Sequence, residues 1–515
     1  GIAPGFAAGG SGGGIRIDVE TLSGTGSIAA NGSAGNSFGG GGGGGRIAIY
    51  YQSVTGFNFS NVLAQGGTST HAAGGGSGTI YLQGPGTESG ELIVDNNGLV
   101  PVSLSTPIAG ASTATLSLMH LRVRRAARVQ INSVLSLAGT LEIATSGELV
   151  LGNSVAANTI VLSNNAILTH LPTTGSTLFR LDINAQSVQI DASSRIDVDG
   201  RGFFGAGQSS NPHGLRGMTL GFAAGSNLRF GGGYGGLGGT YPSSGFSNPV
   251  YGDFRNPNDA GSGGSSLESF NVAGNGGGLV RIVAQSLTLH GAIRANGGSA
   301  TANAAGGSGG GIRLDAETLS GTGTITTNGG AGFLFGGGGG GGRVAIYYQN
   351  ATSFDFSRVN AFGGNRGGVG AGEFGAAGTI YLQGPARESG ELIVDNNNLA
   401  VASLSTPIPG ASTATILLTH LRVRRAARVR ADSTLNVTDV FEVASSSEVT
   451  ASRVFAGTTT LTGGSILTHL ATTGTTAGMV DVHSQVLTID GTSRIDVIGL
   501  GHLGANKPGN PFGVR

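Results

Sequence analysis

This sequence predicts an all-β fold: a parallel β-helix (β-solenoid) with coils of about 20 residues and glycine-rich loops. Three observations carry that expectation. Residues 1–216 recur as 298–515, at an offset that drifts from 297 to 300. Apolar strand pairs return at a near-constant distance along the chain. Glycine fills 100 of 515 positions, about a fifth against a usual ~7%.

The repeat sets the organisation. SGGGIRIDVETLSGTG from Ser11 returns as SGGGIRLDAETLSGTG from Ser308, and HLRVRRAARV stands at both His120 and His420. The expected layout is a first β-helical repeat at 1–216, a glycine-rich segment at 217–297 that continues the solenoid, and a second repeat at 298–515. Self-similarity on this scale marks units that bury their apolar edges against one another.

The spacing gives the coil. Leu121/Val123, Leu141/Ile143, Ile160/Leu162 and Leu181/Ile183 start 20, 19 and 21 residues apart. A second series follows at Val129/Ile131, Leu149/Leu151 and Val188/Ile190, and the other copy keeps the beat at Leu421, Phe441 and Leu461. Alternation of apolar and polar residues reads as half-buried strands. A constant return distance reads as each strand landing on its predecessor. Helices are disfavoured by short, β-branched segments broken by Gly, Asn and Ser.

A second texture splices glycine into the coil. Arg16 and Arg46 are 30 apart, and Arg281, Arg313 and Arg343 are 32 and 30 apart, each at a strand entry. The added residues include the runs Gly39–Gly45 and Gly336–Gly342. Two arrangements are open to them. They are either slack tethers or extended backbones of three residues per turn, packed side by side as a polyglycine II-type bundle. Equal tract lengths in both copies favour packing, with Tyr234, Tyr241 and Phe246 placed to seal it.

Strand–glycine units such as GGSGGGIRID, GSIAANGSAG, GRIAIYY and GAIRANGG, over roughly 1–52 and 279–349, resemble the glycine-rich β-helical repeat proteins of bacterial surfaces, in the filamentous-haemagglutinin-like adhesin and fibre class. The resemblance implies a long surface structure. It transmits no activity.

Composition excludes several classes. Lys+Arg and Asp+Glu are 28 each, which argues against nucleic acid or an anionic membrane as partner. With no cysteine there are no disulfides or thiolate metal sites. No apolar run reaches 18 residues, and Gly1 opens in mid-pattern without a signal peptide.

The candidate chemistry is sparse. Arg122, Arg124, Arg125 and Arg128, repeated as Arg422, Arg424, Arg425 and Arg428, form the strongest charged feature. They read as a ladder on Glu142/Glu148-type neighbours or as a docking patch for a subunit or anionic glycan. Asp197 and Asp199 read as an outward solvated or hydrogen-bonding ladder; paired carboxylates could also do acid–base work on a glycan, but Ile498 replaces the second aspartate in the other copy. Asp18/Glu20 and Asp315/Glu317 read as solvated faces or partners of arginines one coil away. Asp95-Asn96-Asn97 and Asp395-Asn396-Asn397 read as turns ending the ELIV strands. His120, His170, His420 and His469 stand singly, without zinc-like clustering. No catalytic motif, metal site or cofactor is expected. Both chain ends stop in mid-repeat without a cap, which favours head-to-tail polymers. The expected function is a structural section or subunit of an extracellular, cell-surface filament that associates with itself. A glycan-binding adhesin stalk, a polysaccharide-active enzyme and an ice binder follow in that order.

Overall fold

The computed structural model describes residues 7–36, 38–86, 89–100, 105–108, 110–240, 245–368, 372–408, 414–473 and 478–502. Tyr241, Phe512, Gly1 and Arg515 lie outside these. The chain is all-β. Among the described residues, eighteen strands form one long, mostly parallel sheet. Thr115–Leu118 and His120–Arg124 lie end to end against Val134–Ala144, so the strands make seventeen rows. At ~4.8 Å per row the stack is roughly 80 Å long.

Shorter parallel sheets of eight, five and two strands line the other side of the cores. The apolar alternation explains the arrangement. Leu121, Leu141, Ile160 and Val188 stand in one buried column. Val129, Leu149 and Leu168 form a facing column.

Three registers differ from the sequence expectation. Ile160 stacks on Val188, 28 residues on, and not on Leu181, because residues 171–180 loop out and lengthen that coil. Val188 and Ile190 therefore belong to the long sheet, and Leu168 takes their expected place opposite. Arg281 does align with Arg313, but Arg46 pairs with Gly14 and Arg343 with Gly311, so the row repeat there is 32 rather than 30.

The intervening segment behaves in two ways. Leu279–Leu289 continues the sheet and pairs directly with Leu181–Ile190. Most of residues 198–278 leave the sheet, with one small hairpin of Met218–Thr219 and Ala223–Ala224. They lie over the glycine loops of the second copy.

The sheet also does something the periodicity did not announce. Thr79–Gln83 and Glu91–Asp95 pair antiparallel, as do Thr379–Gln383 and Glu391–Asp395. Paired residues share a face, so Ile80 and Leu82 sit with Ile93, while Tyr81 sits with Leu92. The next row aligns Leu92 with Leu121 and Val94 with Val123. The apolar core has changed sides. One core holds Ile47, Ile49, Ile80, Leu82 and Ile93. The next begins at Leu92 and Val94 and runs to Ile380, Leu382 and Ile393. A third begins at Tyr381, Leu392 and Val394. A strand covered on both faces needs an unbroken apolar run, and Leu-Ile-Val at 92–94 and 392–394 supplies it.

Candidate functional site

The eight arginines gather at these two junctions. Arg122 and Arg124 project from the side of the strand opposite Leu121 and Val123. Arg125 turns the chain with φ 51°, and Arg128 opens the next short strand. Arg122 meets Glu91 in the preceding row and Glu142 in the following row (3.0 Å). Arg124 (3.0 Å) and Arg125 (2.7 Å) share Asp95, and Arg128 meets Glu148 (2.8 Å). The second copy repeats the set: Arg422 with Glu391 and Glu442, Arg424 and Arg425 with Asp395, Arg428 with Glu448. Asp95 and Asp395 are buried. The guanidinium groups are thus neutralised from within the chain. Sequence pairing found Glu142 and Glu148; it missed Glu91 and Asp95, which lie in the preceding parallel row but 29 to 31 residues back rather than one 20-residue coil.

The Asx turns are as expected, with a further role. Buried Asn96 accepts from Gly66 N (3.0 Å) and donates to Gly75 O (3.2 Å), and Asn396 does the same with Gly363 and Gly375. Each ties a junction to the glycine layer beside it.

The remaining candidates are engaged structurally. Asp197 pairs with Arg195 on its own strand (2.9 Å). Asp199 accepts from Asn296 N (2.6 Å); burial and the adjacent Asp197 push its carboxyl upward, with Asn296 opposing. Asp18 pairs with Arg16 two residues back (2.9 Å), not with the next row, whereas Asp315 meets Arg313 (2.8 Å) and Arg281 one row away (3.9 Å). His170 is fully buried, donating from Nδ1 to Leu171 O (2.6 Å) while Nε2 accepts from Leu279 N (3.3 Å). Desolvation lowers its pKa to about 4, so it is neutral. Among the described residues no three His, Asp or Glu converge on a possible metal position, and no helix is long and apolar enough to cross a membrane.

An open groove of about 880 Å3 follows a bend in the long strands. The register shifts there, between Leu137 and Thr140. Buried Ala157, Ala185, Ala284 and Ala316 form its floor, and Gln186, Gln285, Glu317 and Gln349 line one wall. A second groove of about 590 Å3 lies at the same strand position in the third section, beside Phe455 stacked on His483 at 4.7 Å. Because the core has changed sides between them, the two grooves open on opposite faces of the sheet.

The glycine tracts are packed. Gly42 N–H donates to Ser33 O (3.0 Å), Gly45 to Ala30 (2.7 Å), Gly41 to Ala73 (3.0 Å) and Gly44 to Gly76 (2.9 Å). Contacts recur every third residue: a Cβ on Gly39, Gly42 or Gly45 would strike the Ala7, Gly10 or Gly13 carbonyl, and one on Gly41 or Gly44 would strike Gly67 or Ala64. Slack tethers would show no such period.

Comparison with protein-family models, curated proteins and solved structures finds no match.

Proposed function

We propose that this chain is a β-solenoid section of an extracellular, cell-surface filament of the glycine-rich surface-repeat type, with its loops packed as a polyglycine II-type bundle. The observation that carries the reading is the seventeen-row ladder, unbroken through both junctions. At each junction the strand direction and the core side reverse together. This amounts to a half-turn about the stacking axis and leaves the winding hand unchanged. The arginine–carboxylate clamps tie each reversed strand to the parallel row that follows it. Among the described residues the last row, Asp481–Ile489, is paired along one edge. Its Leu487 and Ile489 continue the Thr459 and Leu461 columns yet are 47% and 41% exposed. Heterologous contacts that do not close build filaments.

Electron microscopy and sedimentation test the reading. Thin polymers with an axial repeat near the ~80 Å stack are expected; compact monomers at every concentration would overturn it. The grooves support a second reading, an adhesive stalk gripping an extended glycan along the wall of glutamines and Glu317. Glycan-array binding by chains that never polymerise would favour that reading.

A further inference from the structure

The two copies share one glycine tract but not one environment. In the second copy the threefold tract Gly336–Gly342 has all three sides covered. Two sides meet the neighbouring loops, and the third meets residues 229–240 of the intervening segment. Gly337 N–H donates to Arg229 O (3.0 Å), Gly340 to Gly232 O (2.9 Å), Glu373 to Thr240 O (2.8 Å) and Ala376 to Leu237 O (2.9 Å). A Cβ on Gly337 or Gly340 would strike the carbonyl of Gly239 or Gly236. Arg343 beneath is wholly buried, its Nε donating to Tyr251 O (3.0 Å) and its guanidinium 5.5 Å from the Tyr234 ring centre.

In the first copy the same two sides are covered and, among the described residues, the third is bare. The equivalent donors on Gly40, Gly43, Ala73 and Gly76 have no hydrogen-bond partner among the described residues. A Cβ on Gly40 would find its nearest neighbour at 3.5 Å, and one on Gly43 at 3.8 Å. Among the described residues nothing requires glycine there. Arg46, the equivalent of Arg343, is exposed. Over Gly43–Arg46, Gly76 and Thr106 lies a cavity of about 500 Å3, where the second copy is filled.

We propose that this face of the first copy is a docking site for a glycine-rich, tyrosine-bearing segment of the chemistry of residues 228–265. The second copy is its occupied form. The bound segment would pair the four free N–H groups, bury Arg46 under a tyrosine and fill the cavity. The site lies on the flank of the stack and stands apart from the filament reading, which concerns its ends.

The probe is a synthetic peptide of residues 228–265, titrated into the full chain by calorimetry. One-to-one binding is expected. Gly40→Ala/Gly43→Ala should weaken it at least tenfold without lowering the melting temperature, since the added methyl groups meet nothing until the segment docks. Arg46→Ala should weaken it less. No binding, or equal binding to the double variant, overturns the proposal. Peptide binding by a chain that never polymerises leaves this site standing and removes the filament. Polymers without peptide binding remove only this site.

Discussion

The plain coils and the glycine layer solve the same packing problem with opposite materials. In the coils, side chains fill the space, and the copies differ freely where volume can be shared: Leu141 is replaced by Phe441 and Leu151 by Ala451, all buried. In the glycine layer there are no side chains, and backbone meets backbone on a three-residue period. There Gly39–Gly45 and Gly336–Gly342 match residue for residue. Side-chain cores absorb a change of shape by repacking. A main-chain core has nothing to repack.

The largest expected effect breaks that layer. Gly42→Ala and Gly339→Ala each drive a methyl group into a carbonyl, of Gly10 and Gly307 respectively. Each should cost at least ~3 kcal/mol, the upper range for overpacking, read as a lost or greatly lowered thermal transition. Gly43→Ala, one residue along, has room, and its effect should stay within about 0.5 kcal/mol of zero. If all three behave alike, the layer is not packed as described.

The junctions come next. Asp395 is nearly buried between Arg424 and Arg425, so Asp395→Ala strands two guanidinium groups. Loss of one partner of a buried pair costs ~3–5 kcal/mol; the arginines are partly exposed, so about 3 kcal/mol is expected by denaturant unfolding. Asp95→Ala should match it. A null result would separate the clamp from the change of core side.

The third effect is a pH dependence. His170 titrates near 4 when folded and near 6.5 when unfolded. Its folded pKa is depressed, so the stability it allows is complete above pH 6.5 and is lost as pH falls from 6.5 to 4. The total is about 3 kcal/mol at 1.36 kcal/mol per unit. Substituting His170→Gln should flatten that part of the stability–pH curve, because glutamine takes up no proton. An unchanged slope would show that the buried imidazole is not its source.

How much of this could be read from the sequence follows the same division. Strand columns such as Leu121–Leu141–Ile160 were legible because alternation and spacing are local. The row after Ile160 was not, since the loop at 171–180 adds length without changing the pattern. The arginine ladder was legible toward Glu142 and Glu148, which lie one coil on. It was illegible toward Asp95, which lies one parallel row back but 29 residues away in the chain. One signal for the antiparallel step was present. The unbroken Leu92-Ile93-Val94 run departs from strict alternation and marks a strand with apolar neighbours on both faces. Packing of the glycine tracts was legible as one of two options. Which side of a tract is covered was not, because every side of polyglycine reads alike.

The smallest effect concerns charge on the plain surface. Arg16 and Asp18 form an ion pair at 2.9 Å with side chains 70% and 56% exposed. Arg313 and Asp315 repeat it at 2.8 Å, but there Arg313 also donates to Asn256 of the covering segment (2.6 Å). Water screens the first pair and less of the second, so equal geometry should give unequal energy. Arg16→Ala should change stability by under ~0.5 kcal/mol, and added salt should erase the difference. Arg313→Ala should cost about 1 kcal/mol more, through the lost hydrogen bond to the segment. Peptide bound over the first copy should draw the Arg16 effect toward that of Arg313. The covering segment, rather than the repeat sequence beneath it, would then set the strength of the pair.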